Sequence, residues 1–393
     1  MAVTTTNPLE LETATAGARL EPLYARPASV AERSAEAVRV LREAETAADA
    51  HRFEETLQLL EEIDELVRTS PPLRFRALLA RSWALMSTGD AEAADQLLEQ
   101  AGWMAASPDF TEIDRAEVLY RLGCCRLRQS RVGNATALLT VALEDAQRSD
   151  RPALELQASI LQWRARCWLR QNLSDMAQQD VDLALELIAG GSPRIAADVS
   201  FQASIVSERR GNWLLARMHA EGALEAYRRL EDGIATNKVL NNLGCIHFLL
   251  GDHSSAIDCL TESLAIARSL GDPVGTGFAL STLAETLLRT GDAEAAEDVA
   301  GQALTFLESP GAALTEAGCA LLTLGRATAA QGRLQDAAAA FRRADRYFQK
   351  ASSSAHQAEA WIAQGELAEE LGDMADAARR YRRAAVALRT IHL

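Results

Sequence analysis

One unit of about 40 residues recurs along this chain, and its period restricts the fold more than any local motif does. The clearest copy runs from Leu240 to Ala256, with apolar and small residues at helical spacing on both sides of Gly251. Nine such turn positions follow one another at steps of 38 to 41 residues: His51, Gly89, Ser130, Gln171, Gly211, Gly251, Gly291, Gly332 and Gly372. A step this regular is typical of a solenoid, in which each unit buries its apolar face against its neighbours.

The residues around each turn predict a pair of helices. Gly251 can take the left-handed conformation that ends a helix, and Asp252 can cap the helix that follows. A small residue recurs five positions beyond the turn, where the second helix must pack closely on the first. The positions are Thr56, Ala94, Ala135, Met176, Ala216, Ala256, Ala296, Ala337 and Ala377, of which Thr56 and Met176 are the weaker copies. We therefore expect nine hairpins, or eighteen helices.

The repeated unit resembles the tetratricopeptide repeat (TPR). The last two units carry the resemblance through Leu324, Gly325, Gly332, Ala337, Phe341 and Ala344, and through Trp361, Gly365, Gly372, Ala377, Tyr381 and Ala384. The common repeat is 34 residues long, so these copies are similar to the longer variety found in bacterial regulatory TPR arrays. The resemblance implies an all-α, right-handed superhelix (an α-solenoid) whose concave groove is lined mainly by the first helix of each pair.

The expected organisation is a flexible tail over residues 1–28, which lack any sustained period, followed by a TPR array over residues 29–393. The tail could also act as a short docking segment. The nine units of the array are expected at 29–69, 70–106, 107–149, 150–190, 192–231, 233–271, 272–308, 309–351 and 353–393.

Composition and motifs exclude several classes of function. A net charge of −15 disfavours direct binding to nucleic acid, and no apolar run is long enough to span a bilayer, so we expect a cytoplasmic protein without a membrane partner. No glycine-rich phosphate loop, metal-ligand spacing or nucleophile with a base occurs, so we expect no enzyme, no cofactor and no metal. The six cysteines are expected to pack as small apolar residues.

The groove is predicted from the sixth position of each unit, counted with Gly244 at the eighth. Six consecutive units carry a polar residue there, and Asn242 matches the asparagine that grips the ligand backbone in related TPR superhelices. With the neighbouring polar and charged positions, the expected partner-binding residues are Arg121, Arg128, Gln162, Gln202, Arg209, Lys238, Asn241, Asn242, Thr282, Arg289, Thr323 and Arg326. The alternative is that these side chains only solvate an exposed helix face.

Two functions are consistent with these observations. The first is a non-catalytic scaffold or adaptor that binds a peptide or helix of a partner protein, with some Asp or Glu, in its concave groove. The second is the sensor module of a bacterial transcriptional or signalling system that responds to a small ligand or signal peptide. The acidic first unit and basic last helix predict self-association, or else simply solvate the two ends of the stack.

Overall fold

The computed structural model describes residues 30–308, 314–351 and 353–391. These residues form nineteen α-helices and no strand, which confirms the predicted all-α solenoid of nine hairpins. The predicted tail at 1–28 lies outside the described residues. No helix in the described part of the chain has the length and apolarity that a membrane crossing needs.

Each hairpin pairs a first helix with a second helix across a tight turn. The first helices are α1 (Val30–Asp49), α4 (Pro71–Thr88), α6 (Glu112–Arg128), α8 (Leu154–Arg170), α10 (Pro193–Arg209), α12 (Gly233–Leu249), α14 (Pro273–Arg289), α16 (Leu314–Ala330) and α18 (Ser354–Glu370). The second helices are α2 (Phe53–Glu62) with α3 (Asp64–Val67), then α5 (Ala91–Ala105), α7 (Val132–Arg148), α9 (Ser174–Leu187), α11 (Trp213–Arg229), α13 (His253–Ser269), α15 (Ala293–Leu307), α17 (Leu334–Lys350) and α19 (Met374–Ile391). We number the hairpins 1 to 9 in this order.

The count of eighteen helices was wrong by one, because the second arm of hairpin 1 is broken. Ile63 leaves the helical conformation with φ −104° and ψ 4°, and separates α2 from α3. Ile63 is itself buried, and the Arg81 guanidinium of α4 donates to the Leu60 carbonyl just before the break. The freed carbonyl therefore has a partner, as buried backbone groups require.

The turns have the predicted chemistry. At the clearest copy, Gly251 has φ +79° and its N–H donates to Phe248, while the Asp252 N–H donates to the His247 carbonyl. The Asp252 carboxylate then accepts from the Ser255 N–H and caps α13. A left-handed glycine followed by an N-cap aspartate thus ends one helix and begins the next within two residues.

The predicted turn position of hairpin 4 was wrong by one residue. Gln171 has φ −95°, and the left-handed conformation belongs to Asn172, with φ +59°. The small residue five positions beyond the turn is accordingly Ala177, which is fully buried, and not Met176, which is exposed. Asparagine is a residue type that tolerates this conformation, so hairpin 4 keeps the common geometry without a glycine.

Small residues bring the two helices of a hairpin close together. A Cβ atom on Gly244 would lie 2.5 Å from the Cγ of Leu260, and one on Gly365 would lie 2.6 Å from the Tyr381 ring. Seven of the predicted alanines, from Ala94 to Ala377, are at most 1% exposed. The core is a seam between successive helices, with one cluster of buried residues running from Phe75 in hairpin 2 to Val199 in hairpin 5.

Candidate functional site

The first helices line the inner face of the solenoid. Each first helix contacts the first helix of the next hairpin, from α1 with α4 through to α16 with α18. Within the described residues, no second helix contacts the second helix of the next hairpin. Elements that lie closer together form the inside of a curve, so the concave groove is the surface of the first helices, as predicted.

Aromatic side chains meet on this surface in hairpins 2 to 4. The Trp83 ring of α4 stacks on Tyr120 of α6 with centroids 6.4 Å apart, and meets the edge of Trp163 of α8 at 6.2 Å. Helices α4 and α8 do not contact each other directly, so these two indoles reach across α6. The three rings therefore give the groove of hairpins 2 to 4 an aromatic floor.

Three cations of the inner face, one of them over the Trp163 ring, form no ion pair with a carboxylate in the described part of the chain. Arg166 of α8 lies 4.6 Å from the Trp163 ring centroid, and its Nε donates to the Gln202 side-chain oxygen at 2.8 Å. Arg128 donates only to the Met86 carbonyl, at 3.3 Å, and the described residues offer Lys238 no hydrogen bond or ion pair. We call Arg128, Arg166 and Lys238 the cation cluster.

The members of the cation cluster act on one another. Lys238 is exposed, yet its pKa is lowered, first because the surrounding protein displaces part of its water and then by the positive charges of Arg166 and Arg128. Arg128 is exposed as well, and partial loss of water together with the Arg166 charge lowers its pKa. These residues come from hairpins 3, 4 and 6, so the superhelix, and not the local sequence, brings like charges together. An uncompensated group of this kind in an acidic chain favours an anionic occupant.

Two of the predicted cations are already paired. Arg121 forms an ion pair with Glu117 at 2.7 Å, and Arg289 forms one with Glu285 at 3.2 Å, each one helical turn away. The Arg121 guanidinium also lies 5.5 Å from the Trp83 ring centroid. These two arginines contribute less free positive charge to the groove than a count of residues predicts.

Asn242 is engaged by the protein itself. Its side-chain oxygen accepts from the Ser204 hydroxyl at 2.6 Å, and its amide nitrogen donates to Glu208 at 2.8 Å. Burial raises the pKa of Glu208, which the hydrogen bond from Asn242 partly offsets. The described structure therefore gives Asn242 a role in joining α10 to α12, beside the ligand contact that the resemblance implies.

The remaining predicted residues differ in exposure. Gln162, Gln202 and Thr323 are buried, Asn241, Thr282 and Arg326 are half-buried, and Arg209 is exposed. Three amide atoms among them have no hydrogen-bond partner, namely the side-chain oxygens of Gln162 and Asn241 and the side-chain nitrogen of Gln202. A buried polar atom without a partner is costly, so an ordered water is the expected partner of each of these enclosed atoms.

Sequence reasoning missed Trp83, Tyr120, Trp163 and Arg166. The error in hairpin 4 explains two of them, because counting from Asn172 puts Trp163, and not Gln162, at the position of Arg121 and Gln202. The corrected count also assigns Arg166 to an inner-face position, the one that Arg326 has in hairpin 8. An alignment on Ala177 instead of Met176 would have revealed both residues.

The basic last helix is partly neutralised. Arg379 and Arg380 both pair with Asp376 on α19 itself, while the Arg383 guanidinium lies 4.0 Å from the Trp361 ring centroid. A cleft of about 540 Å³ lies here between α18 and α19 at the end of the stack. Self-association through this helix stays a prediction.

Fold and inner face together define an α-solenoid of helical hairpins with a groove lined by its first helices. Residues 197–269 match the family model described as tetratricopeptide repeat. The resemblance seen in the sequence is thereby confirmed, and the solenoid is built of TPR-type repeats. Comparison with curated protein sequences finds no match.

Solved structures share this fold over nearly their whole length. A Rap protein in complex with competence and sporulation factor superposes with a TM-score of 0.68 at 16% identity, covering 91% of this chain and 99% of that one. The apo quorum sensor NprR from B. thuringiensis gives 0.66 at 14% identity, with 90% and 99% covered. Aspartyl phosphate phosphatase F from Bacillus subtilis gives 0.58 at 10%, with 93% and 96% covered.

Proposed function

We propose that the protein is a non-catalytic regulatory scaffold that binds an acidic peptide or protein segment in the concave groove of hairpins 2 to 6. The observation that carries the proposal is the cation cluster, which has no carboxylate partner among the described residues although the chain bears a net charge of −15. A carboxylate of the partner would complete the ion pairs that Arg128, Arg166 and Lys238 lack. Charge complementarity of this kind gives both specificity and a faster association rate.

The aromatic floor and the polar side chains along the first helices support an extended chain as the occupant. An extended segment offers backbone N–H and C=O groups, which can pair with polar side chains that are only half-buried on the first helices, such as Asn241 and Thr282. Trp83 is half-buried and can contact an apolar side chain beside the acidic one. The Rap structure contains competence and sporulation factor, which is consistent with ligand binding by a solenoid of this shape.

Neutralising the cation cluster is expected to weaken binding of acidic peptides by about tenfold or more, since a hydrogen bond to a charged group contributes on the order of 1.5–3 kcal/mol. The variant is Arg166→Gln with Lys238→Gln, which keeps polar side chains in the groove. Binding of fluorescent random-sequence peptide pools, one rich in Asp and Glu and one neutral, is measured by polarisation at two salt concentrations.

The matched control is Arg342→Gln with Arg346→Gln, which removes two charges from the second helix α17. Binding should then stay within about twofold of the wild type, because charges far from the groove act only through a screened field. Equal binding of the acidic and neutral pools, or full binding by the groove variant, would refute the proposal.

The second candidate is a sensor module that responds to a small ligand or signal peptide. A contact between distant hairpins favours it, since His51 of hairpin 1 meets Arg194 of hairpin 5. Forming or breaking such a contact would change the pitch of the solenoid. A rise in Tm caused by a cell extract filtered below peptide size would support this candidate over the scaffold. Cytoplasmic location stays a prediction from the sequence in both cases.

A further inference from the structure

The turn of hairpin 1 contacts hairpins 5 and 6, far along the chain. His51 Nε2 lies 2.7 Å from Arg194 Nη2, and His51 Nδ1 lies 3.4 Å from Asp232 Oδ2. Arg194 and Asp232 form an ion pair with Nη1 and Oδ2 2.6 Å apart. We call His51, Arg194 and Asp232 the clasp. It joins residues 143 positions apart or more, although no described helix of hairpin 1 packs against α10, α11 or α12.

The chemistry of the clasp defines the state of its histidine. A guanidinium has only donors, so the His51 nitrogen that meets Arg194 must accept. Nδ1 is then the ring nitrogen that faces Asp232 Oδ2. The Phe53 ring of α2 packs beside His51, with centroids 5.4 Å apart. Both imidazole nitrogens thus face charged groups of hairpins 5 and 6, Nε2 within hydrogen-bond distance of Arg194 and Nδ1 in a longer charge contact with Asp232.

The receiving side of the clasp is built from several elements. Asp232 caps α12 by accepting from the Ala235 N–H at 2.9 Å, and its side chain is 8% exposed. Arg194 lies 5.6 Å from the Tyr227 ring centroid, and the Tyr227 hydroxyl donates to Asp198 at 2.5 Å. Burial acts to raise the pKa of Asp232, but its contacts with His51, Ala235 and Arg194 together lower it to about 2. Asp232 is therefore ionised at neutral pH.

The position of the clasp relates it to the pitch of the superhelix. His51 lies at the turn within hairpin 1, whereas Arg194 and Asp232 lie where the first helices of hairpins 5 and 6 begin. These are opposite edges of the solenoid wall, so they meet only where one coil of the superhelix lies against the next. We propose that the clasp joins two successive coils and holds the superhelix in a compressed form, and that its release lets hairpin 1 move away from hairpins 5 and 6.

Hairpin 1 has the attachments that such a movement needs. Outside the clasp, its helices contact only α4 among the described elements, so a change of angle at this single interface is enough to move hairpin 1. The clasp also shares helices with the cation cluster, since Asp232 caps the helix that carries Lys238. The Asp232 charge acts on Lys238 and raises its pKa against the effect of burial. Release would therefore move hairpin 1 away from the helix that carries Lys238, one of the charges that a ligand meets under the proposed function.

Two variants test the clasp without disturbing the turns. His51 has φ +59°, so His51→Gly removes the contact and suits the backbone. Asp232→Asn keeps an N-cap side chain but removes the charge. In the free, full-length chain, both variants are expected to give a larger radius of gyration by small-angle X-ray scattering. Amide exchange in α1 to α3 should rise by about threefold to tenfold, as for the loss of a partly buried ion pair.

Asp272→Asn is the matched control, because Asp272 caps α14 by accepting from the Gly275 N–H at 2.9 Å and belongs to no clasp. It should leave the radius of gyration and the exchange of α1 to α3 unchanged. The inference is overturned if His51→Gly and Asp232→Asn scatter and exchange like Asp272→Asn. No ligand enters these measurements, so the result is independent of the binding test.

Discussion

Replacing Asp180 by alanine is expected to lower the free energy of unfolding by about 3–5 kcal/mol, the effect of removing one partner from a buried ion pair. Asp180 is 5% exposed and accepts two hydrogen bonds from Arg164, at 2.8 and 2.7 Å. It also accepts from the Trp168 indole at 2.9 Å. The variant would leave a largely buried guanidinium and an indole N–H without their acceptor. Urea titration followed by circular dichroism measures the change.

The control for Asp180 is an ion pair of the same type on the surface. Glu225 pairs with Arg229 on α11, where both side chains are well exposed, so Glu225→Ala should change stability by less than about 1 kcal/mol. The double variant Arg164→Met with Asp180→Leu should recover most of the loss, because two apolar groups leave no buried charge. If Asp180→Ala costs no more than Glu225→Ala, the buried network does not stabilise hairpin 4.

This network also links stability to the groove. Arg164 and Asp180 hold α8 against α9, and α8 carries Trp163 and Arg166 on its inner face. The stability of a solenoid is roughly a sum of terms for each repeat and each interface between neighbours. A loss of stability in hairpin 4 therefore affects hairpins 3 and 5 most. Asp180→Ala should therefore weaken groove binding as well, whereas Arg166→Gln should leave unfolding almost unchanged.

The fold could be predicted from the sequence because the same local chemistry recurs along the chain, most fully in hairpins 2, 6, 7 and 9. A glycine that ends one helix, an aspartate that begins the next and a small residue five positions on are all short-range signals, as at Gly251, Asp252 and Ala256. The failure at hairpin 4 has a local cause too. Asn172 replaces the glycine, and the adjacent Gln171 is equally polar, so turn chemistry alone does not fix the register there.

The candidate site was less predictable, because it depends on distances between units. A count of charges treats Arg121 and Arg166 alike, but Glu117 neutralises Arg121 whereas Arg166 has only Gln202. The clasp could not be predicted from the sequence at all. His51 meets Arg194 only because small rotations between five hairpins add up to one coil, and no residue pattern in a single unit encodes that sum.

Two helical glycines are expected to respond in opposite directions to the same substitution. Gly222 on α11 has open space where a Cβ would be, so Gly222→Ala should raise the free energy of unfolding by about 0.5–1 kcal/mol through helix propensity. A Cβ on Gly325 of α16 would lie 2.4 Å from Cε1 of Phe341, a ring that is only 2% exposed. Gly325→Ala should lower stability by about 1–3 kcal/mol, because overpacking exceeds the same gain in propensity.

The urea concentrations at the midpoint of unfolding, measured for both alanine variants and the wild type, test this prediction. If both variants are more stable than the wild type, α16 and α17 can move apart without cost. The glycine at position 325 would then not be required for the packing of these two helices. A gain of stability for Gly222→Ala and a loss for Gly325→Ala would show that the close approach of α16 and α17 requires glycine at position 325. That approach also fixes the angle between the arms of a hairpin, and hence the curvature on which the groove and the clasp depend.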